Sequence, residues 1–134
     1  GIIIIEVQYL MNTLKDLTFD NIYHEHYNYW SLTSLVNFFN QFNSKIFRAE
    51  RIDTHGGSLR IYIKKDKKVK IENSVKKILK DENDFGIKKY ETYKNFGKKV
   101  SFKTLTVFHL LFQLVGILVM HEKSCHGKQG WYQI

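Results

Sequence analysis

Residues 45–64 read KIFRAERIDTHGGSLRIYIK, and this stretch decides the fold class of the chain. In its second half, Ile61 and Ile63 alternate with polar neighbours, which is typical of a half-buried strand over residues 58–64. Residues 45–52 predict another strand. Two glycines between the strands permit the positive φ that a tight turn requires. The stretch therefore predicts an antiparallel β-hairpin.

Upstream of the hairpin, the chain opens with the isoleucine run Ile2–Ile5 followed by Val7. β-Branched side chains favour a strand, so we predict a buried strand over residues 1–10. Glu6 interrupts the run near its carboxyl end, where ligands bind in open α/β sheets. A solvent-exposed carboxylate explains Glu6 equally well. Natural domains seldom begin inside a buried strand, so we expect further sequence before Gly1.

Between this strand and the hairpin, residues 19–30 are dense in aromatic and titratable side chains without clear periodicity. Loops of this composition commonly carry function. Ser31 is then a predicted helix N-cap, with Ser34 in the first turn. The apolar residues that follow at helical spacing predict a helix that buries one face; they are Leu32, Leu35, Val36, Phe39 and Phe42.

Downstream of the hairpin, residues 65–70 form a charged connection and a candidate domain boundary. Short helices are predicted around Val75 and Ile78, and over residues 85–99. Residues 105–120 are almost wholly apolar. They are short of the roughly 20 residues of a membrane span, so a buried helix is favoured over a membrane segment.

The net charge of +8 resides mainly in lysines between residues 64 and 103. Such a block can bind nucleic acid or an anionic surface, and a non-catalytic basic binding module is the alternative function. We favour a solvated helix face, because acidic residues alternate with the lysines. Cys125 is the single cysteine, which excludes an internal disulfide and fits a cytoplasmic setting. A metal site from His121, Cys125 and His126 has too little pattern to be favoured.

Three motifs resemble signatures of the NDP-sugar C-methyltransferases, and they occur in that family's order. The first is the strand with Ile4-Ile5-Glu6-Val7 and Tyr9-Leu10. The second runs from Phe19 through Tyr23-His24-Glu25-His26-Tyr27 to Ser31-Leu32, and the third is Thr54-His55-Gly56-Gly57-Ser58-Leu59-Arg60. The resemblance covers residues 1–64 closely and residues 65–99 loosely.

The resemblance implies an α/β fold, in which a partial Rossmann-like class I methyltransferase sheet ends in an antiparallel hairpin and is followed by helices. Residues 1–64 would be the C-terminal part of the methyltransferase domain. Residues 65–134 would begin the helical C-terminal domain, with a tail after Lys103 that departs from the family. The family's S-adenosyl-L-methionine loop and its N-terminal zinc domain are absent from these residues, so we assign no cofactor-binding residues and expect the fragment to be inactive alone.

The resemblance also implies the chemistry. A base removes a proton next to a keto group of a nucleotide-linked deoxysugar, and the enolate takes the methyl group. The predicted catalytic residues are His26 as general base, Glu25 as an orienting or sugar-contacting group, and Tyr23 as donor to the enolate oxygen. The predicted substrate-binding residues are His24, His55 and Tyr27.

From the residue types alone, other readings stay open. His24 and His26 could form half of a metal site, although a third ligand is undefined, and we predict no metal. Tyr27 could be a core aromatic, as we expect for Trp30. His55 could bond its own turn. The expected partner is a nucleotide sugar, with no nucleic acid and no membrane, and the sequence does not indicate an oligomeric state.

Overall fold

The computed structural model describes residues 1–19, 28–53, 57–66 and 68–126, with residues 112–126 described as backbone. Its elements in chain order are β1 (Ile2–Gln8), α1 (Leu10–Asp16), α2 (Leu32–Gln41), β2 (Lys45–Ile52), β3 (Ser58–Lys64), α3 (Asn73–Phe85) and α4 (Tyr90–His126). Gly1–Phe96 form one compact unit, and a second unit begins at Gly97. The predicted α/β class and both hairpin strands are confirmed.

The three strands form one sheet in the order β1-β3-β2. β3 runs antiparallel to both neighbours, so the predicted hairpin is confirmed and β1 is parallel to β2. A register shift between Ile46 and Arg48 bends β2 locally. β3 is therefore the only one of the three with a strand on each side among the described residues.

The two faces of the sheet differ in chemistry because side chains alternate along each strand. On the core face, Ile5, Ile61 and Ala49 lie side by side across the three strands. On the other face, Arg60 lies between Glu6 and Glu50. The alternation predicted for β3 is confirmed, since Leu59, Ile61 and Ile63 are all buried.

The strand β1 lies where the sequence predicts it, but the prediction that it is buried is wrong at its start. Ile2, Ile3 and Ile4 are 56%, 59% and 58% exposed. β1 is the edge strand, and within the described ranges no strand pairs with its outer side. Its opening residues therefore leave both pleat faces accessible.

The start of α2 confirms the predicted Ser31 cap. Ser31 Oγ accepts a hydrogen bond from the Ser34 N–H at 3.1 Å, and Ser34 Oγ accepts one from the Ser31 N–H at 3.1 Å. Leu32 and Leu35 are buried as predicted. Phe42 is 56% exposed, against the prediction, because the helix ends one residue before it and its side chain leaves the buried face.

α3 packs on the outer edge of β2, which is thereby covered. The Glu72 N–H donates to the Phe47 carbonyl at 2.8 Å, and the Ala49 N–H donates to Ser74 Oγ at 3.4 Å. The apolar side of the helix faces the sheet through Val75 and other residues of the core. The helix therefore covers the β2 edge, where a bare strand would leave backbone groups unpaired. No strand of the described residues covers the β1 edge in this way.

α4 begins after a turn that Gly86 closes in a left-handed conformation, with φ at 79°. The prediction that this helix ends near residue 99 is wrong, since the helix continues to His126.

The prediction of burial for residues 105–120 is wrong for the side chains described there, because Leu105 and Phe108 are 68% and 65% exposed. From Gly97 onward the described residues form one helix, which has no second element of its own unit to pack against. Within the described ranges, no helix has both the length and the apolar content of a membrane crossing.

We predict that Ile61→Ala lowers the free energy of unfolding by about 2–5 kcal/mol, because it opens a cavity in the central strand. The matched control is Ile4→Ala on β1, which is 58% exposed and should cost below about 1 kcal/mol. Urea unfolding of both variants measures the difference. Equal losses would contradict the assignment of β3 to the centre and β1 to the edge.

Candidate active site

Two chain segments carry the residues that are predicted to act in chemistry. Tyr23, His24, Glu25, His26 and Tyr27 belong to residues 20–27, and His55 belongs to residues 54–56. Both ranges lie outside the described residues, so the roles of these side chains stay predictions. The described residues that flank the segments define where each one joins the fold.

Both segments rejoin the fold at the carboxyl end of β1. Trp30, which follows the first segment, forms a parallel bridge with Tyr9, and its carbonyl accepts the Leu10 N–H at 3.0 Å. Gly57, which follows the second segment, accepts the Tyr9 N–H at 3.2 Å through its carbonyl. Two successive backbone N–H groups therefore hold the ends of both segments.

The sheet register brings the second segment to this edge. Gln8 at the end of β1 pairs with Ser58 at the start of β3, and Ser58 also pairs with Ile52 at the end of β2. The connection between β2 and β3 therefore starts and finishes beside the carboxyl end of β1. Ligands of open α/β sheets bind at the carboxyl ends of strands.

Gly57 is suited to this position by its lack of a side chain. Its φ is 104°, in the region that favours glycine. A Cβ at this position would collide with the side-chain amide of Asn12 on α1. The close approach of the β2–β3 connection to α1 thus requires glycine here, as the turn chemistry of the sequence indicates.

The Tyr9 side chain is fully buried beneath these backbone contacts. Its hydroxyl donates to Met11 Sδ at 3.4 Å, and the Arg51 guanidinium lies 5.5 Å from the ring centre. Burial, and then the nearby Glu82 carboxylate, raise the pKa of Tyr9 well above its ordinary value, while Arg51 opposes them. Tyr9 is therefore a neutral structural phenol at physiological pH, not an acid or base for catalysis.

In the described part of the chain, Glu82 is the one charged side chain that is fully buried. Its Oε1 accepts the Leu32 N–H at 2.6 Å, and its Oε2 accepts the Thr33 N–H at 2.8 Å and the Thr33 hydroxyl at 2.6 Å. The carboxylate comes from α3 and meets the first turn of α2. A negative charge at a helix N-terminus is favourable, because the unpaired N–H groups and the helix dipole point toward it.

Beside Glu82, its sequence neighbour Asp81 joins α3 to the sheet. Asp81 Oδ2 accepts a hydrogen bond from Arg51 at 3.0 Å, and both side chains are 37% exposed. Arg51 therefore contacts both the Tyr9 ring and Asp81. This half-exposed ion pair links α3 to β2 but adds little free energy by itself.

The sequence interpretation missed the role of Glu82, because it assigned the acidic residues of this region to a solvated face. A usable signal existed in the spacing. Val75, Ile78 and Glu82 recur at the interval of one helix face, and all three are buried. A carboxylate in register with an apolar stripe indicates a buried acceptor with partners elsewhere in the chain.

The Glu6 carboxylate is paired with the Arg60 guanidinium. Its Oε2 accepts two hydrogen bonds from Arg60, at 2.8 and 3.1 Å, on the face of the sheet opposite the core. Among the described residues no group of three acidic, histidine or cysteine side chains is arranged to hold a metal ion. His24 and His26 lie outside the described residues.

Two comparisons relate the chain to known proteins. Residues 53–116 match the family described as C-methyltransferase C-terminal domain. C-methyltransferase NovU from Streptomyces niveus is 33% identical to the chain over 100 residues, which are 72% of this chain and 23% of NovU. The chain therefore spans less than a quarter of the length of this relative.

We predict that Gly57→Ala lowers the free energy of unfolding by about 1–3 kcal/mol or more, because the new side chain meets both positive φ and the Asn12 amide. Gly97→Ala is the matched control, since it lies inside α4 with nothing within 4 Å of an added Cβ. It should stabilise by up to about 1 kcal/mol. Thermal unfolding checks both. A neutral Gly57→Ala would refute the close approach to α1.

We predict that the chain loses stability in alkali partly through Tyr9. Its folded pKa lies above the ordinary 10.0, so above that pH the unfolded state releases the proton first and the free energy of unfolding falls as pH rises. Urea unfolding between about pH 9 and pH 11 should show a shallower fall in Tyr9→Phe. At pH 7 the phenol is neutral in both states, so the difference measured there reports packing alone. Identical slopes would contradict the buried phenol.

Proposed function

We propose a methyl-transfer function from the premise that this chain belongs to the C-methyltransferase family. The chain would supply the part that forms a carbon nucleophile on a nucleotide-linked keto-deoxysugar. The observation that carries the proposal is the meeting of Trp30 and Gly57 at Tyr9. Trp30 lies three residues after the segment 20–27, and Gly57 directly follows the segment 54–56; the two segments hold the predicted catalytic and substrate-binding residues.

The sheet supports the proposed place of this chain in a larger enzyme. An antiparallel strand between two parallel ones, in the order β1-β3-β2, is compatible with the closing end of a Rossmann-like class I methyltransferase sheet. Residues 1–64 would belong to that domain and residues 65–134 to the C-terminal domain, whereas the family match to the C-terminal domain begins earlier, at residue 53. Activity, substrate and partners of the whole enzyme are part of the proposal.

The proposed reaction begins with His26. Its imidazole takes the proton from the carbon next to the keto group, and the electron pair of that C–H bond forms the enolate. Tyr23 donates a hydrogen bond to the enolate oxygen, where negative charge develops. Glu25 orients the imidazole or contacts the sugar. His24, Tyr27 and His55 bind the substrate around the reacting carbon.

The methyl donor would be S-adenosyl-L-methionine, which supplies an electrophilic methyl group on sulfur for the new carbon–carbon bond. The described residues contain no glycine-rich turn from a strand into a helix, which is the usual cradle for such a cofactor. We therefore assign none of them to the donor. What this chain contributes is proton removal and charge stabilisation at the sugar.

The C-methyltransferase match supports this chemistry over the alternative of a basic binding module. A C-methyltransferase must generate a carbon nucleophile, which needs a base close to neutral pKa and a donor for the developing oxyanion. The segment Tyr23–His26 offers both residue types in four positions. No observation on the described residues singles out nucleic acid as a ligand.

The test uses the complete natural protein with a panel of nucleoside-diphosphate keto-deoxysugars. We predict methyl transfer from S-adenosyl-L-methionine to a ring carbon, and solvent deuterium uptake at that carbon in the absence of the donor. His26→Gln should reduce both by about 100-fold or more, because the base is lost. Mass spectrometry of the product measures both reactions.

His109→Gln is the matched control, since it removes a histidine of α4 that has no proposed role. It should leave both reactions unchanged. Full deuterium uptake by His26→Gln would remove His26 as the base. Absence of both reactions from the wild-type protein with every sugar would refute the proposed function itself.

A further inference from the structure

We propose that Glu82 is a positioning residue for catalysis, which holds the chain where the segment 20–27 rejoins the fold. The inference rests on the proposed function, because it concerns the geometry of His26 and its neighbours. Glu82 touches neither substrate nor reacting atoms in this scheme. It would act through Leu32 and Thr33 on the start of α2.

The first support is the distance in sequence that the contact spans. Glu82 lies 50 residues after Leu32 and 49 after Thr33, yet its two carboxylate oxygens accept three hydrogen bonds there of 2.6–2.8 Å. Glu82 lies within the stretch that matches the C-methyltransferase C-terminal domain, whereas α2 precedes that stretch. The carboxylate therefore ties the family's C-terminal region to the preceding part of the chain.

The second support is that α2 has a cap of its own. Ser31 and Ser34 exchange hydrogen bonds in a capping box, which satisfies the N–H of the third helical residue locally. Glu82 takes the N–H groups of the first and second helical residues in addition. Leu32 is fully buried, so water does not reach its N–H, and the local cap does not serve it; the acceptor comes from α3 instead.

The third support is the charge. A fully buried carboxylate loses its hydration, and three hydrogen bonds offset that cost only when their donors are held in place. Such a contact is sensitive to small displacements. It can therefore fix one position of the helix start among several that an apolar contact would tolerate.

The start of α2 closely follows the segment 20–27 in the sequence. Trp30 and Ser31 directly precede Leu32, and Trp30 is bridged to Tyr9. His26 stands four residues before Trp30 in the sequence. The backbone of Tyr9 and Leu10 binds Trp30, and the Glu82 carboxylate binds Leu32 and Thr33 just after it.

The test compares four variants of the complete natural protein. Glu82→Gln keeps the size of the side chain and removes its charge and one acceptor. Thr33→Val removes one of the three hydrogen bonds, and Thr33→Ser restores it. Asp84→Asn is the matched control, because it neutralises an exposed carboxylate on the same helix.

We expect Glu82→Gln to lower kcat for deuterium uptake by about 10- to 100-fold, because a base displaced by about 1 Å loses that much. KM for the keto-sugar should stay within about twofold, since the binding groups remain. Thr33→Val should lower kcat by a smaller factor, which Thr33→Ser rescues. Asp84→Asn should have no effect. Circular dichroism confirms that each variant is folded at the assay temperature.

An unchanged kcat in folded Glu82→Gln would overturn the proposal. So would a loss of activity that only follows the fraction of folded protein, since that marks a purely structural link. If the wild-type protein methylates nothing, the proposed function fails first, and NMR of residues 1–134 decides on Glu82. The His26 imidazole signals should then move in Glu82→Gln and Thr33→Val but not in Asp84→Asn, and signals that stay in place would overturn the role.

Discussion

The backbone N–H groups of Tyr9 and Leu10 hold two chain segments that are far apart in sequence. One donates to Gly57 and the other to Trp30, at the carboxyl end of β1. These bonds require a strand that ends at Gln8 and a buried Tyr9 side chain beneath it. Trp30 and Gly57 therefore both bind at the carboxyl end of β1. Open α/β sheets bind ligands at the carboxyl ends of their strands.

The arrangement around this strand end depends on α3 as much as on the sheet. Asp81 and Glu82 are neighbours in sequence, yet they bind Arg51 of β2 and the start of α2 respectively. A single helix turn thus fixes both the sheet and the helix that follows the predicted catalytic segment. The family match over residues 53–116 includes this turn, so the C-terminal region contributes directly to the geometry of the preceding part.

Local signals carried most of what the sequence could predict. The alternation around Ile61 and the cap at Ser31 are properties of neighbouring residues, and both are confirmed. The exposure of Ile3 depends on which strand lies beside β1, and periodicity does not contain that information. The burial of Glu82 was missed because a charged residue was assigned to the solvated face, although its spacing from Val75 and Ile78 places it on the buried face. The catalytic roles rest on the family resemblance alone. Residues 20–27 and 54–56 have no periodicity from which a role could be predicted.

We propose that the segments 20–27 and 54–56, which Trp30 and Gly57 follow, form one substrate site. Its most direct test is a titration of the protein with a nucleoside-diphosphate keto-deoxysugar, followed through the imidazole NMR signals of His24, His26 and His55. We predict that signals from both segments shift along a single binding curve, while those of His109 and His121 stay in place. Signals of His26 and His55 that shift along different curves, or that do not shift at all, would contradict it.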